Sequence, residues 1–194
     1  MEKVISIVGA GGKTTLVHKL AREYHRRGKG VLVTTTTHMY VEADTYLSCD
    51  FFSLRDKIIK DGYCMAGQKI SEQSKPKMCG LPYDLFDRLI KDMPQALDYV
   101  IIEADGAKHH SLKYPAADEP VIYPLTTDVI IVLGTWEKGK LCKDVVFRYE
   151  LMQNELGMAE DVVVDDSVID TLRQVYVKKL RDSGFKGRIS TYYR

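Results

Sequence analysis

The stretch Ser6 to Leu16, SIVGAGGKTTL, constrains this chain more than any other. An apolar run ends in a glycine cluster, and a lysine and two threonines follow before a helical pattern begins. The general phosphate-binding loop places four residues between its first glycine and Gly-Lys. Here Ile7 stands where that first glycine would be, so the long form is absent. What stands is a shortened form, Gly9-Ala10-Gly11-Gly12-Lys13-Thr14, with two intervening residues. Glycines allow a tight turn and a close approach to an anion, so that successive amides converge on one concavity. Lys13 can reach terminal phosphates, the Thr14 hydroxyl can ligate Mg²⁺, and the helix that starts here adds its N-terminal partial charge. A strand-to-helix turn that binds nothing has the same composition. The strand before the cluster, the amphipathic helix after it and Lys-Thr-Thr in register favour the phosphate reading.

The pattern along the chain predicts an α/β fold, P-loop NTPase-like, with a mainly parallel sheet flanked by helices. Val4 to Val8 reads as a buried strand, and Leu16, Val17, Leu20, Ala21 and Tyr24 recur at helical spacing before Gly28 and Gly30. Val31 to Val33 reads as a second strand, which completes a right-handed crossover and delivers Thr34-Thr35-Thr36-Thr37-His38 beside the glycine loop. A helix is expected over Leu54 to Lys60, a strand over Tyr63 to Ala66, a polar loop from Lys69 to Gly80, and a helix from Pro82 to Pro94. Tyr99 to Ile102 is a fully apolar strand. Val121 to Pro124 and Val129 to Leu133 read as further strands, and the remainder as helices over Val145 to Leu156 and Val168 to Leu180. The 194 residues suit one nucleotide-binding α/β domain spanning 1–194.

With 28 basic and 27 acidic side chains the net charge is +1, so an anionic partner has to be bound locally and no nucleic-acid surface is expected. No window approaches 18 uninterrupted apolar residues, and Met1-Glu2-Lys3 leads into a strand pattern, so neither a membrane span nor a signal peptide is expected. Cys49, Cys64, Cys79 and Cys142 are scattered without a Cys-x-x-Cys pair, which suits reduced thiols in a cytoplasmic protein.

A second landmark is DYVIIEAD, Asp98 to Asp105, an apolar strand that delivers two carboxylates at its carboxyl end. P-loop proteins place there the acidic residue that holds the Mg²⁺ shell or orients a nucleophile. Residues two apart on a regular strand point the same way, so Glu103 and Asp105 both face one site if the strand holds that far. A solvated strand end is the plainer alternative. The threonine run can bind a phosphate, a metal-bound water or a second substrate, or be structural, since threonine fits strands well; His38 is a substrate contact or a cap. Lys108 can meet an anion or lie in solvent, and the adjacent His109 and His110 are poorly spaced to share one metal.

Taken together, VGAGGKTTL, LVTTTTHM, YVIIEADGAK, LKYPAADEPVI and VFRYE resemble the motifs of YqeC-like selenium cofactor biosynthesis proteins, in the same order from Val8 to Glu150. That family comprises accessory proteins proposed to serve selenium-dependent molybdenum hydroxylases. The resemblance implies ATP or GTP with Mg²⁺ as cofactors, and a molybdenum hydroxylase apoenzyme or cofactor intermediate as partner. It implies Gly9, Ala10, Gly11, Gly12, Lys13, Thr14 and Thr15 at the phosphates, Thr36, Thr37 and His38 in the site, and Glu103, Asp105 and Lys108 around the reaction centre, with Thr14, Asp105 and Glu103 toward the metal. Two departures stand out. Relatives carry a basic residue soon after Gly-Ala-Lys and a His-Arg pair where this chain has Phe147-Arg148, and longer relatives continue past Arg194, where a base-reading motif such as Asn-Lys-x-Asp is sought. The short loop is also similar to that of Mur-type ligases. Other readings of such a chain are a nucleotide-switched chaperone or insertion module for a metalloenzyme, and a small-molecule kinase or ligase.

Overall fold

The computed structural model describes residues 3–70, 76–108 and 110–194. In chain order the elements are β1 (Lys3–Gly9), α1 (Lys13–Arg26), β2 (Val31–Thr35), β3 (His38–Tyr40), β4 (Thr45–Tyr46), α2 (Phe51–Asp61), β5 (Tyr63–Ala66), β6 (Gln68–Lys69), β7 (Lys77–Cys79) and α3 (Tyr83–Asp92). There follow β8 (Tyr99–Glu103), β9 (Leu112–Lys113), β10 (Asp128–Leu133), a 3₁₀ turn (Thr135–Glu137), α4 (Cys142–Val145), β11 (Val146–Phe147), α5 (Tyr149–Leu156), α6 (Asp166–Asp182) and β12 (Arg188–Tyr193).

Seven strands form one sheet in the order β12-β10-β1-β8-β2-β5-β4, and every neighbouring pair in it is parallel. This is the α/β architecture of a P-loop NTPase-like fold. A parallel sheet is covered on both faces, which is why its central strands are apolar along their whole length. Strand alternation divides them: Ile101 packs with Leu16, Val17 and Ala21 of α1, whereas Val100 and Ile102 point to the opposite face, against Leu54 and Ile58 of α2 and Leu85, Phe86 and Leu89 of α3. On that same face Val129, Ile131 and Leu133 pack with Val168, Leu172 and Tyr176 of α6. Each such large apolar side chain taken out of water contributes about 1.5–3 kcal/mol before entropy is counted.

Two helices start where a side chain satisfies one of their first amides. Asp50 caps α2 by accepting from Ser53 N at 2.7 Å, and Asp165 caps α6 by accepting from Val168 N at 2.8 Å. The N-cap of α1 is Gly12, with no side-chain cap.

Four expectations need correction. Val121 to Pro124 forms no strand; Tyr123 leaves the sheet to pack its ring 4.3 Å from that of Phe86, while the Val121 carbonyl accepts from the Thr36 hydroxyl. The helix expected over Val145 to Leu156 is interrupted by β11 and by Arg148, whose φ of 65° is left-handed. The expected loop from Lys69 to Gly80 contains β7, which joins β3 and β6 in a small antiparallel sheet; its residues 71–75 lie outside the described ones. β12 replaces part of the helical C-terminal region and extends the main sheet beyond β10.

β8 lies between β1 and β2. The acidic strand, not the threonine strand, is therefore the immediate neighbour of the glycine loop, with Glu103 in register with Ile7 and with Thr35.

Candidate functional site

At the carboxyl end of β1 the chain turns through Gly9, Gly11 and Gly12, all with positive φ. Gly9 is required twice over: its φ is 89°, and a Cβ there would lie 2.2 Å from the Val132 carbonyl oxygen. That carbonyl accepts from Ala10 N at 2.9 Å, which ties the loop to β10.

Lys13 follows at the first position of α1 and folds back, its ammonium donating to the Gly9 carbonyl at 2.6 Å. It is only 6% exposed. Burial pulls its pKa down to about 8, against the attraction of Glu103 and Glu119, which raise it. Thr14 donates its hydroxyl hydrogen to Glu103 Oε2 at 2.7 Å. Glycine loop, lysine, threonine and strand-end carboxylate thus meet at one place. They line a cavity of about 670 Å³ with Thr15, Thr37, His38 and Lys108.

The threonine run divides by role. Thr35 is buried and donates to the Glu103 carbonyl oxygen at 2.6 Å, while its hydroxyl accepts from Thr37 N at 2.9 Å. Thr36 N also donates to that carbonyl, at 3.1 Å. These bonds hold the end of β8, and with it Glu103, against β2. Thr36 turns its own hydroxyl to Val121, whereas Thr37 and His38 reach the cavity wall.

Asp105 is not brought to the loop. β8 ends at Glu103, and Asp105 adopts a φ of 71° that aims its side chain the other way. There it pairs with the fully buried Lys113 and accepts from the Tyr176 hydroxyl at 2.8 Å. Lys113 also meets Glu119 Oε2 at 2.8 Å and the Gly106 carbonyl at 2.6 Å, and Arg148 binds Glu119 through two nitrogens. Burial lowers the Lys113 pKa, partly offset by Glu119. Burial raises that of Glu119, but hydrogen bonds from Arg148 and Lys113 outweigh it and bring the carboxyl down to about 2.

This cluster was not legible as a unit in the sequence, because Lys113 and Glu119 share the stretch LKYPAADEPVI while Arg148 and Tyr176 come from two other segments. Its consequence for the cavity is direct. By holding Asp105 and the Gly106 carbonyl, it presents Gly106, Ala107 and Lys108 as cavity wall. Lys108 is exposed, with its ammonium 5.4 Å over the Phe147 ring, and His110 stacks on the same ring at 5.5 Å. Phe147 is thus a ring platform shared by Lys108 and His110. His109 lies outside the described residues.

Two residues that sequence reading did not single out also reach the cavity: Trp136, from the 3₁₀ turn after β10, and Arg194, after β12. No helix among the described residues is long and apolar enough to cross a membrane.

A seven-stranded parallel sheet with a glycine loop at the end of a central strand, a helix behind it and an acidic strand alongside defines an α/β protein of P-loop NTPase-like fold. The chain belongs to the YqeC family: the profile described as YqeC protein matches residues 5–150. It is 32% identical over 170 residues to "Uncharacterized protein YqeC" of Escherichia coli (strain K12), an alignment that covers 83% of this chain and 63% of that relative. The chain therefore spans less than two thirds of that relative's length. No solved structure matches.

Proposed function

We propose that this chain binds a Mg²⁺–nucleoside triphosphate at the glycine loop and uses its γ-phosphate in maturing the selenium-containing molybdenum cofactor of molybdenum hydroxylases. The observation that carries the nucleotide reading is the 2.7 Å hydrogen bond from Thr14 to Glu103, made directly beside Lys13. A hydroxyl and a carboxylate are hard oxygen donors, and Mg²⁺ in nucleotide sites takes only one or two protein oxygens, with phosphates and waters completing its shell. The pair fits that requirement. Glu103, rather than Asp105, is assigned to the metal, because both Asp105 oxygens are engaged by Lys113 and Tyr176. Bound there, the ion would neutralise charge on the phosphate oxygens.

The rest is positioning. Loop amides and Lys13 orient the phosphates; Lys13 exchanges its bond to the Gly9 carbonyl for phosphate oxygens, and an anion restores its proton affinity. Thr37, His38 and Lys108, which also line the cavity, would orient whatever accepts or follows the γ-phosphoryl group. The cofactor role is supported by membership of the family and by the motif resemblance from Val8 to Glu150.

The test of nucleotide binding is a calorimetric titration with Mg-ATP and Mg-GTP of the parent and of Lys13→Ala. Binding should be weakened by at least about tenfold, the scale of a charge-assisted hydrogen bond; equal affinity in the two proteins would remove the phosphate-loop assignment. The cofactor role is read separately, from selenium-dependent molybdenum hydroxylase activity in cells that carry Lys13→Ala in place of the parent. That activity should fall, and unchanged activity would sink the role.

A further inference from the structure

The cavity has an end that the phosphate reading does not use. β10 finishes at Leu133, and Gly134 leads into the turn Thr135–Glu137. Trp136 is 47% exposed on that turn. A Cβ on Gly11 would lie 2.8 Å from the Gly134 Cα, and one on Gly134 would lie 3.0 Å from the Trp136 ring atom Cη2. The indole is thus one residue away from the glycine loop, half-exposed and part of the cavity lining.

The turn that carries it is firmly tied. Thr135 donates to the Arg194 carbonyl through both its amide, at 2.7 Å, and its hydroxyl, at 2.6 Å. Arg194 N donates to the Leu133 carbonyl at 3.0 Å, and Ser111 donates to Glu137 Oε1 at 2.7 Å. These bonds engage the Thr135 hydroxyl and one Glu137 oxygen within the protein. What the turn offers a ligand is a ring face. Arg194 in turn spans two places at once: its guanidinium lies 5.2 Å over the indole, and its Nη1 lies 2.7 Å from where a Cβ of Gly12 would be. A cation against the loop glycines and an aromatic face one step further out match a triphosphate and its base, in that order.

We propose that Trp136 is the stacking platform for the base of the bound nucleotide, and that Arg194 moves its guanidinium from the indole to the phosphates when the base arrives. The proposal rests on the nucleotide reading of the glycine loop. A ring face recognises any planar base through its π surface and does not read hydrogen-bonding edges. The site therefore takes purine nucleotides with little distinction between adenine and guanine, and smaller pyrimidines less well.

Trp136 is the sole tryptophan of the chain, so its fluorescence reports the platform directly. Mg-ATP and Mg-GTP should both quench it, with dissociation constants within about threefold of each other. Calorimetry with Mg-ATP and with Mg-tripolyphosphate, which has no base, should show Trp136→Ala weakening ATP by about tenfold, within the usual range for a stacked base. Tripolyphosphate should change less than twofold, and Trp136→Phe should recover most of the ATP affinity. ATP binding no tighter than tripolyphosphate in the parent, or an ATP-to-tripolyphosphate ratio unchanged by Trp136→Ala, would overturn the platform while leaving the phosphate loop in place. Failure of tripolyphosphate and of both nucleotides to bind the parent would overturn the loop reading, and the platform with it.

Discussion

Glu103 and Asp105 leave the same strand two residues apart and end in opposite surroundings. Glu103 faces the glycine-loop cavity, where the Thr14 hydroxyl is its one side-chain hydrogen-bond partner among the described residues. Asp105 lies behind that cavity in a buried cluster, held by an ammonium and a phenol. The cavity groups are only loosely satisfied by the protein and are free to exchange partners for a ligand. The cluster groups are satisfied by one another and fix the wall that carries Lys108. A site that must bind and release needs the first kind of environment, and the second kind keeps it in shape.

The contrast predicts different costs for similar substitutions. The largest effect falls on the cluster: Lys113→Ala leaves Asp105 and Glu119 buried without their cation, and unfolding in urea should show a loss of about 3–5 kcal/mol. A loss below about 1 kcal/mol would mean that the cluster does not hold the wall. Lys13→Met, by contrast, removes a desolvated charge that donates to a backbone carbonyl. Its stability should equal or exceed that of the parent, while affinity for Mg-nucleotide drops by about 10–100-fold.

The pH dependence separates the same two residue types. For Lys13 the folded pKa, about 8, lies below the ordinary 10.5. Below pH 8 both states carry the proton, and the burial cost is constant. Between pH 8 and 10.5 the unfolded chain binds more protons than the folded one, so stability rises with pH. The stability advantage of Lys13→Met over the parent should therefore shrink across that window, as read by urea midpoints at several pH values. A smaller effect of the same direction, in an acid window, belongs to Glu119, whose folded pKa of about 2 lies below the ordinary 4.5. Its stabilisation is complete above pH 4.5 and is lost as pH falls toward 2, so Glu119→Gln should flatten the acid limb. The change should be modest, because this carboxylate is partly solvated.

Much of this was legible before the fold was known. The central strands, α1 and the glycine loop follow from apolar runs and a glycine cluster that admit few other structures, and Glu103 from its place at the end of an apolar strand. Glu103 and Asp105 face different ways for a specific reason: the period-two rule holds only while the strand does, β8 ends at Glu103, and Asp105 past that end is left-handed. β12 was missed because RISTYY sets two polar and then two aromatic residues side by side, without the period-two alternation that marks a strand. Trp136 and Arg194 sit on separate elements that converge only because β12 joins β10. Nothing in their local sequence marks either one as facing the loop.

The central claim is that Glu103, and not Asp105, works with Thr14 at the metal–phosphate position. Nucleotide affinity with Mg²⁺ and with EDTA, compared between Glu103→Gln and Asp105→Asn, tests it most directly, and Tyr176→Phe serves as a milder perturbation of Asp105. Glu103→Gln should lose most of the Mg²⁺-dependent gain in affinity and keep its binding in EDTA, while folded Asp105→Asn and Tyr176→Phe retain the gain. A Glu103→Gln protein with an undiminished Mg²⁺ gain, alongside a folded Asp105→Asn protein that has lost it, would contradict the account.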